Sequence, residues 1–224
     1  MACTGVLITA AGIRFNQSFL RILPLYNSLV IALLQSRVNR YSNLLGSINS
    51  LLYGAVYVYY NLYGAALSAL LFSFPVQLVT FIRWNKNKWA HSTVLRRMTP
   101  KQITLTSVGY IAALVAMWAV LTAMGSDYVF LDSATTLLGV LILFLTMFAF
   151  VEYTVFMLIN GILTIVLYIT MIENSPDIIT YLIFSVYSFV CTLFAFFEAR
   201  KLYSVQKTDP SKAEVTADCQ SDVQ

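Results

Sequence analysis

The sequence predicts an all-α integral membrane protein, and its composition and its long uncharged runs both point to that fold class. Hydrophobic residues make up 59% of the 224 residues and charged residues only 11%, with a mean hydropathy of +0.75. Soluble domains carry about 25% charged residues. Residues 41–82 contain no Asp, Glu, Lys or Arg, and a spanning helix needs about 20 such residues. A water-soluble globule is therefore excluded.

The uncharged runs and their separators predict seven spanning helices. Tyrosines and Gly64 between the second and third helices indicate a turn at the membrane interface. Glu152 separates the fifth helix from the sixth. The predicted helices cover residues 19–35, 44–60, 62–84, 102–126, 133–151, 153–172 and 178–197.

The basic residues predict the orientation. Six of the 14 Lys and Arg residues lie between Arg83 and Lys101, and none lies between Lys101 and Arg200. The loops 125–132 and 172–177, predicted on the other side, contain acidic residues and no basic ones. The positive-inside rule then predicts an outer N-terminus and a cytoplasmic C-terminus. Because this clustering is a topology signal, the net charge of +4 does not indicate a nucleic-acid partner.

A weak internal repeat relates the two halves of the chain. A shift of about 111 residues superposes Asn49 on Asn160 and Tyr57 on Tyr168. Three helices, one linker helix and three further helices in the same sense form an arrangement found in transporters, with the binding site between the repeats. The predicted units are residues 1–18 (N-terminal segment), 19–84 (first repeat), 85–126 (basic loop and linker helix), 127–203 (second repeat) and 204–224 (disordered cytoplasmic tail).

Polar side chains inside the predicted spans are the candidate site residues, because burying them in hydrocarbon is unfavourable unless they have a partner. Side-chain amides both donate and accept, which suits a neutral solute rich in hydroxyl or amide groups. Hydrogen bonding between helices explains the same residues without any ligand, and both interpretations stay open. The candidates are Asn49, Tyr53, Tyr57, Gln77, Asn160 and Tyr168.

Glu152, at the start of the sixth predicted helix, has two interpretations. A carboxylate at a helix N-terminus interacts favourably with the helix dipole. Alternatively, Glu152 contacts a cationic solute, and the neighbouring Tyr153 and Phe156 offer their rings to it.

Enzyme chemistry is not indicated. His91 is the only histidine, and the three cysteines are far apart, so neither a catalytic pair nor a metal site is predicted. The sequence contains no nucleotide-binding glycine motif. No catalytic residue, metal or cofactor is therefore predicted, and transport driven by ATP within this chain is excluded.

Several short stretches, in their order and spacing, resemble the PnuC family of bacterial nicotinamide riboside transporters over about residues 40–200. Trp84, Thr135 and Thr136 accompany these stretches. The similar stretches are residues 41–49, 61–64, 75–77, 97–102 and 131–133.

The resemblance implies a seven-helix, three-plus-one-plus-three fold similar to the SWEET sugar transporters, in the bacterial inner membrane. It implies facilitated passage of a vitamin precursor, which a separate cytosolic kinase then traps by phosphorylation. It also implies that Asn49, Gln77 and Asn160 lie near the substrate and that Asp132 matches a family position at the start of the fifth helix. A second copy of the chain is a further candidate partner.

The sixth helix departs from the family pattern. Tyr153, Thr154, Phe156 and Met157 occupy the region where the family carries two tryptophans, and Asn160 comes one residue early. Thiamine and riboflavin are therefore alternative substrates to nicotinamide riboside. A membrane scaffold or sensor subunit that transports nothing is the alternative from a different functional class.

Overall fold

The computed structural model describes residues 1–59, 66–123 and 128–208, and the fold is helical with one short hairpin. The predicted turn at 59–64 and the predicted separator at 125–127 lie largely or wholly outside these residues. The helices are α1 (Ala2–Arg14), α2 (Phe19–Ser36), α3 (Tyr41–Tyr59), α4 (Phe74–Lys86), α5 (Pro100–Ala123), α6 (Val129–Met147), α7 (Tyr153–Met171) and α8 (Ile179–Thr208). A π-helical segment (Ser68–Ser73) precedes α4, strands β1 (Lys88–Trp89) and β2 (Ser92–Thr93) follow it, and a 3-10 turn (Pro176–Ile178) precedes α8.

Six helices contact one another in a closed order around the bundle. α2 packs on α3, α3 on α4, α4 on α6, α6 on α7, α7 on α8, and α8 back on α2. α5 packs on α6 at the periphery, and none of its residues, all of which are described, is buried. The two triplets α2–α4 and α6–α8 therefore meet along two seams.

Four of the described helical segments are long and apolar enough to cross a membrane: Pro100–Ala123, Val129–Met147, Tyr153–Met171 and Pro176–Thr208. α2 has 18 residues, and Arg21 near its start is its one charged residue. α3 has the length of a span but buries serines, asparagines and glycines, and these polar residues lower its hydropathy. The chain is thus a multi-pass helical membrane protein.

Helix α1 was not predicted. It runs antiparallel to the first half of α2, because Thr9 hydrogen-bonds Tyr26 and Gly12 faces Ile22. Ile8 is fully buried in a cluster with residues of α2 and with partly buried residues of α8. At 13 residues, α1 is apolar but shorter than a spanning helix of about 20 residues, so apolar length did not predict it.

Pro75 explains the wide turn that precedes α4. Proline has no N–H, so the carbonyl four residues earlier loses its usual helical donor, and its ring crowds that carbonyl. The helix accommodates this with π-type hydrogen bonds over Ser68–Ser73, immediately before Pro75. Gln77 follows one half-turn later, on the face that meets α3.

One end of the bundle, here called the basic end, carries the 37–40 turn, the 85–99 loop and the last turns of α8 with Arg200 and Lys201. Val38, Trp84, Leu95, Ala149 and Ala199 form a buried cluster there. The cluster joins both triplets to the loop, so the bundle is closed at this end.

The 85–99 loop is held in place by backbone hydrogen bonds. Arg96 donates to the carbonyl of Ala149 and accepts from the amide of Val151, both at 2.8 Å. The Gln206 side chain accepts from the Leu95 amide and donates to the Thr93 carbonyl, both at 2.9 Å.

The prediction of a disordered tail from residue 204 was therefore wrong for 204–208, which continue α8. Residues 209–224 lie outside the described residues.

Candidate functional site

A cavity of about 960 Å³ opens at the end opposite the basic end. This outer cavity lies between α3, α6 and α7, and its described lining is rich in hydroxyl and amide groups. It is lined by Tyr57, Tyr128, Asp132, Thr135, Thr136, Asn160, Thr164, Leu167, Tyr168, Met171, Asn174 and Ser175. The structure thus brings together four of the predicted site residues: Tyr57, Asp132, Asn160 and Tyr168.

Asn160 has an unsatisfied polar atom in this cavity. Its Oδ1 atom is buried and has no hydrogen-bond partner among the described residues. A buried polar atom without a partner is unfavourable by about 1–3 kcal/mol. The arrangement is therefore suited to a solute that donates a hydrogen bond to Asn160.

The outer cavity has an acidic character. Asp132 lies in the first turn of α6 and is the one charged residue in the described lining. Thr136, one turn later, donates to its Oδ1 atom at 3.4 Å. Residues 60–65 and 124–127, which are not described, contain no Lys or Arg in the sequence. The electrostatics favour a neutral or cationic solute.

Aromatic rings form another part of this surface. The rings of Tyr57 and Tyr53 stack with centroids 5.8 Å apart on α3. The Tyr168 ring of α7 lies 6.1 Å from that of Tyr181 on α8. Tyr57 and Tyr168 line the cavity itself, and their π-faces can contact a flat or cationic ring.

A second, smaller cavity of about 50 Å³ lies deeper in the bundle, toward the basic end. Gln77 and Tyr153 line this inner cavity, and Gln77 donates to Ser50 Oγ at 3.0 Å. The Nδ2 atom of Asn43, also in the lining, is buried and has no partner among the described residues. The inner cavity therefore resembles the outer one: polar side chains line it, and one amide atom has no hydrogen-bond partner among the described residues.

Both cavities lie along the same faces of α6 and α7. On α7, Tyr153 and Met157 line the inner cavity, and Asn160, Thr164 and Tyr168 line the outer one. These positions recur every three or four residues, which is one helical face. Met157 and Asn160 are separated by about 4.5 Å along the helix axis. The two cavities are thus aligned across the bundle.

Trp84 closes the inner cavity toward the basic end. Its side chain is 2% exposed, its Nε1 donates to the Thr146 carbonyl at 2.8 Å, and its ring meets Tyr153 edge-on at 6.5 Å. This α4 residue is therefore buried against α6 and α7.

Asn49 and Tyr53 are oriented differently from Asn160. Asn49 Nδ2 donates to Ser28 Oγ at 2.9 Å, and its Oδ1 accepts from Asn27 at 3.2 Å. Its amide thus joins α3 to α2, as expected for hydrogen bonding between helices. Neither Asn49 nor Tyr53 belongs to the described lining of the two cavities.

Glu152 and Phe156 lie at the basic end. The Glu152 carboxylate accepts from the Met98 amide at 3.2 Å and lies 3.7 Å from Arg97 Nε. It also lines a cavity of about 270 Å³ with Arg97, Arg200 and Tyr203. Phe156 packs against the buried cluster of Met98, Leu145 and Tyr153. Along α7, Glu152 precedes Asn160 by about two helical turns and Phe156 precedes it by about one, and neither residue belongs to the described lining of the outer or inner cavity.

Some lining residues were not identified as site candidates. Asn43 lies one residue before the predicted span 44–60, so the search for polar residues inside the spans did not select it, although the structure buries it. Thr164 lies one turn after Asn160, a spacing that places both on one face. Asn174 lies in the 172–177 loop, outside the predicted spans from which the candidates were taken.

Polar cavities aligned through a helical membrane bundle, with unsatisfied amides in both, define a transporter of small polar solutes. The chain belongs to the nicotinamide mononucleotide transporter family, whose model matches residues 18–201. The resemblance identified from the sequence is thereby confirmed, as is the expectation of a transporter rather than an enzyme.

The fold also resembles a solved structure. That structure is described as the crystal structure of the vitamin B3 transporter PnuC, with a TM-score of 0.72 and 19% sequence identity. The similarity covers 91% of this chain and 89% of the other. A search of curated proteins finds no match.

Proposed function

We propose that the protein facilitates the passage of nicotinamide riboside, or a closely related vitamin precursor, down its concentration gradient. The observation that carries the proposal is the outer cavity, which is lined by Asp132, by two tyrosines and by Asn160, whose amide oxygen has no partner among the described residues. Family membership supports the same substrate class.

The cavity chemistry matches the parts of this solute. Nicotinamide riboside carries a pyridinium cation, a carboxamide and ribose hydroxyls. Asp132 offers an opposite charge to the cation, and the rings of Tyr57 and Tyr168 offer π-faces. A carboxamide or hydroxyl donor satisfies Asn160 Oδ1. Gln77, Tyr153 and Asn43 line the inner cavity, which the solute reaches next on its way to the basic end.

The same charges favour a nucleoside over a nucleotide. A phosphate group requires cationic or N–H donors, and the described lining of the outer cavity has no Lys or Arg. Asp132 would instead repel it. Thiamine, which also carries a cationic ring, is the second candidate, whereas neutral riboflavin gains nothing from Asp132.

We further propose the finer architecture and orientation. The closed contact order of α2–α4 and α6–α8, with peripheral α5, supports a seven-helix, three-plus-one-plus-three arrangement similar to SWEET proteins. The clustered positive charge supports a cytoplasmic basic end in a bacterial inner membrane. A cytosolic kinase would trap the product of uptake. Assembly of several copies, and substrate contacts of Tyr53, Glu152 and Phe156, remain predictions. For Asn49, the two hydrogen bonds to α2 favour the interpretation as a contact between helices.

Uptake into proteoliposomes tests the function. We expect labelled nicotinamide riboside to equilibrate, without ATP or an ion gradient, to the outside concentration. Thiamine should enter less readily, and nicotinamide mononucleotide and riboflavin least.

Asp132→Asn should weaken nicotinamide riboside binding by roughly 5- to 30-fold, for 1–2 kcal/mol of lost charge attraction. Glu173→Gln, at the same end but outside the described lining, is the matched control.

Two results would contradict the proposal. One is accumulation of unchanged solute above the outside concentration, because a facilitator without energy coupling cannot produce it. The other is preferential uptake of the phosphorylated mononucleotide, because the acidic cavity would then not be the selective site.

A further inference from the structure

We infer that the basic end binds an anionic phospholipid between the first turns of α5 and the end of α6. A cavity of about 820 Å³ lies there, separate from the outer and inner cavities. Its lining combines cationic side chains at one side with aliphatic and aromatic side chains at the other. This inference concerns the membrane environment of the transporter and goes beyond the proposed substrate.

Three cationic residues line the cavity: Arg96, Arg97 and Lys101. The backbone of Arg96 is fixed by its two hydrogen bonds to the α6–α7 turn. Arg97 is 75% exposed and has Glu152 at 3.7 Å, and Lys101 is exposed on the first turn of α5. No carboxylate belongs to the described lining of this cavity. Its charge is therefore complementary to a phosphate headgroup.

The apolar side of the cavity continues along the membrane-facing helices. Leu105, one turn below Lys101, is 72% exposed, and Leu141, Phe144 and Phe148 of α6 and its C-cap complete the groove. One helical turn advances about 5.4 Å along the axis, so apolar contacts begin directly below the cations. A free phosphate ion would use the cations alone, whereas a phospholipid uses both sides.

The position of this cavity is the one where such lipids are available. Basic pockets between spanning helices at a positively charged membrane face are typical headgroup sites. Thr99 and Gln102 cap each other at the start of α5, so α5 begins at the level of the cations. A bound lipid would connect peripheral α5 to the 85–99 loop.

Native mass spectrometry of the purified full-length chain tests the site, with phosphatidylglycerol and phosphatidylcholine as probes. We expect selective retention of phosphatidylglycerol. Arg96→Gln/Lys101→Gln should weaken the first binding step by about 25-fold, and Lys101→Gln alone by about 5-fold. The single variant changes only an exposed side chain, so it keeps the test valid if the double variant does not fold. Lys86→Gln/Lys88→Gln removes the same charge at the same end, outside the cavity lining, and should leave binding little changed.

Four results would overturn the inference. Equal retention of both lipids, or equal weakening by the control pair, would indicate nonspecific attraction. Displacement of phosphatidylglycerol by millimolar inorganic phosphate would indicate a free-anion site. Cross-linking between chains through a single cysteine at position 105 in detergent, with Cys3, Cys191 and Cys219 replaced, would indicate that a second copy covers the groove.

Discussion

At the scale of single residues, the buried amides divide into those that join helices and those that face a cavity. Asn49 satisfies both ends of its amide with Ser28 and Asn27 of α2. Asn160 leaves its oxygen, and Asn43 leaves its nitrogen, without a partner among the described residues. Asn160 lines the outer cavity and Asn43 lines the inner one, so we expect the second group to bind solute.

Asn49 and Asn160 therefore provide a matched pair of substitutions. We expect Asn160→Leu to weaken binding of nicotinamide riboside by about 5- to 150-fold, because each lost hydrogen bond costs roughly 1–3 kcal/mol. Its thermal stability should change little. Asn49→Leu should instead lower the midpoint of thermal unfolding, because Ser28 and Asn27 lose their partner, while the surviving folded protein binds normally.

Binding and thermal unfolding are measured on the same purified variants. Normal binding by Asn160→Leu would remove this residue from the site. Weakened binding by folded Asn49→Leu would show that both asparagines contact the solute, as the internal repeat predicts.

At the scale of helices, glycines determine how closely α3 and the following helix approach each other. A Cβ atom built on Gly46 would overlap Oε1 of Gln77 and lie 3.0 Å from its Cδ. Gly54, two turns later, faces Leu70 of the π-helical segment in the same way. The missing side chains allow Gln77 to reach Ser50 across the interface.

Gly46→Ala should therefore destabilise the protein, although alanine favours helix formation by about 0.5–1 kcal/mol over glycine. The overlapping atoms lie at the end of the flexible Gln77 side chain, which has to move and give up its hydrogen bond to Ser50. An amide left without a partner costs about 1–3 kcal/mol, which exceeds the propensity gain. Gly139→Ala is the control, because no heavy atom lies within 4 Å of its added Cβ, and it should be neutral or stabilising.

Thermal unfolding of both variants and of Gly46→Ala/Gln77→Ala measures this effect. Shortening Gln77 should recover much of the lost stability, since it removes the overlapping atoms. If Gly46→Ala were as stable as Gly139→Ala, close packing of α4 on α3 would not depend on this glycine.

At the scale of the whole molecule, the two ends of the bundle differ. The outer cavity is open at the acidic end, whereas Val38, Trp84, Leu95, Ala149 and Ala199 close the basic end. Solute that reaches the inner cavity can leave at the basic end only after this cluster separates. The structure therefore corresponds to a state that is open on one side.

The clustered charges predict the orientation of this state in the membrane, and cysteine labelling tests the prediction. We expect an impermeant thiol reagent added to intact cells to modify Glu173→Cys and not Lys88→Cys, both in a chain without native cysteines. Both positions are exposed, at opposite ends of the bundle. Ser92, in the same basic loop, is fully buried and unsuitable as a labelling position. The reverse labelling pattern would invert the proposed topology.

Much of the fold was predictable because the bilayer imposes a simple rule. Apolar length alone predicted α2, α3 and α5–α8 to within a few residues at most of their ends. Apolar length does not predict the elements that depend on tertiary contacts. α1 is held by Ile8, and the last turn of α8 extends because Gln206 binds the basic loop. Such contacts leave no periodic signal in the sequence.

The candidate site was predictable in composition but not in arrangement. Burial of polar groups in hydrocarbon is unfavourable, so any polar residue in a span had to be either paired or functional, and the sequence alone identified Asn49, Gln77 and Asn160 on that basis. Only the tertiary structure decided which of these residues have a hydrogen-bond partner on a neighbouring helix. The choice depends on whether a neighbouring helix brings a partner within about 3 Å, as α2 does for Asn49, or leaves a cavity there, as α3 and α6 do for Asn160.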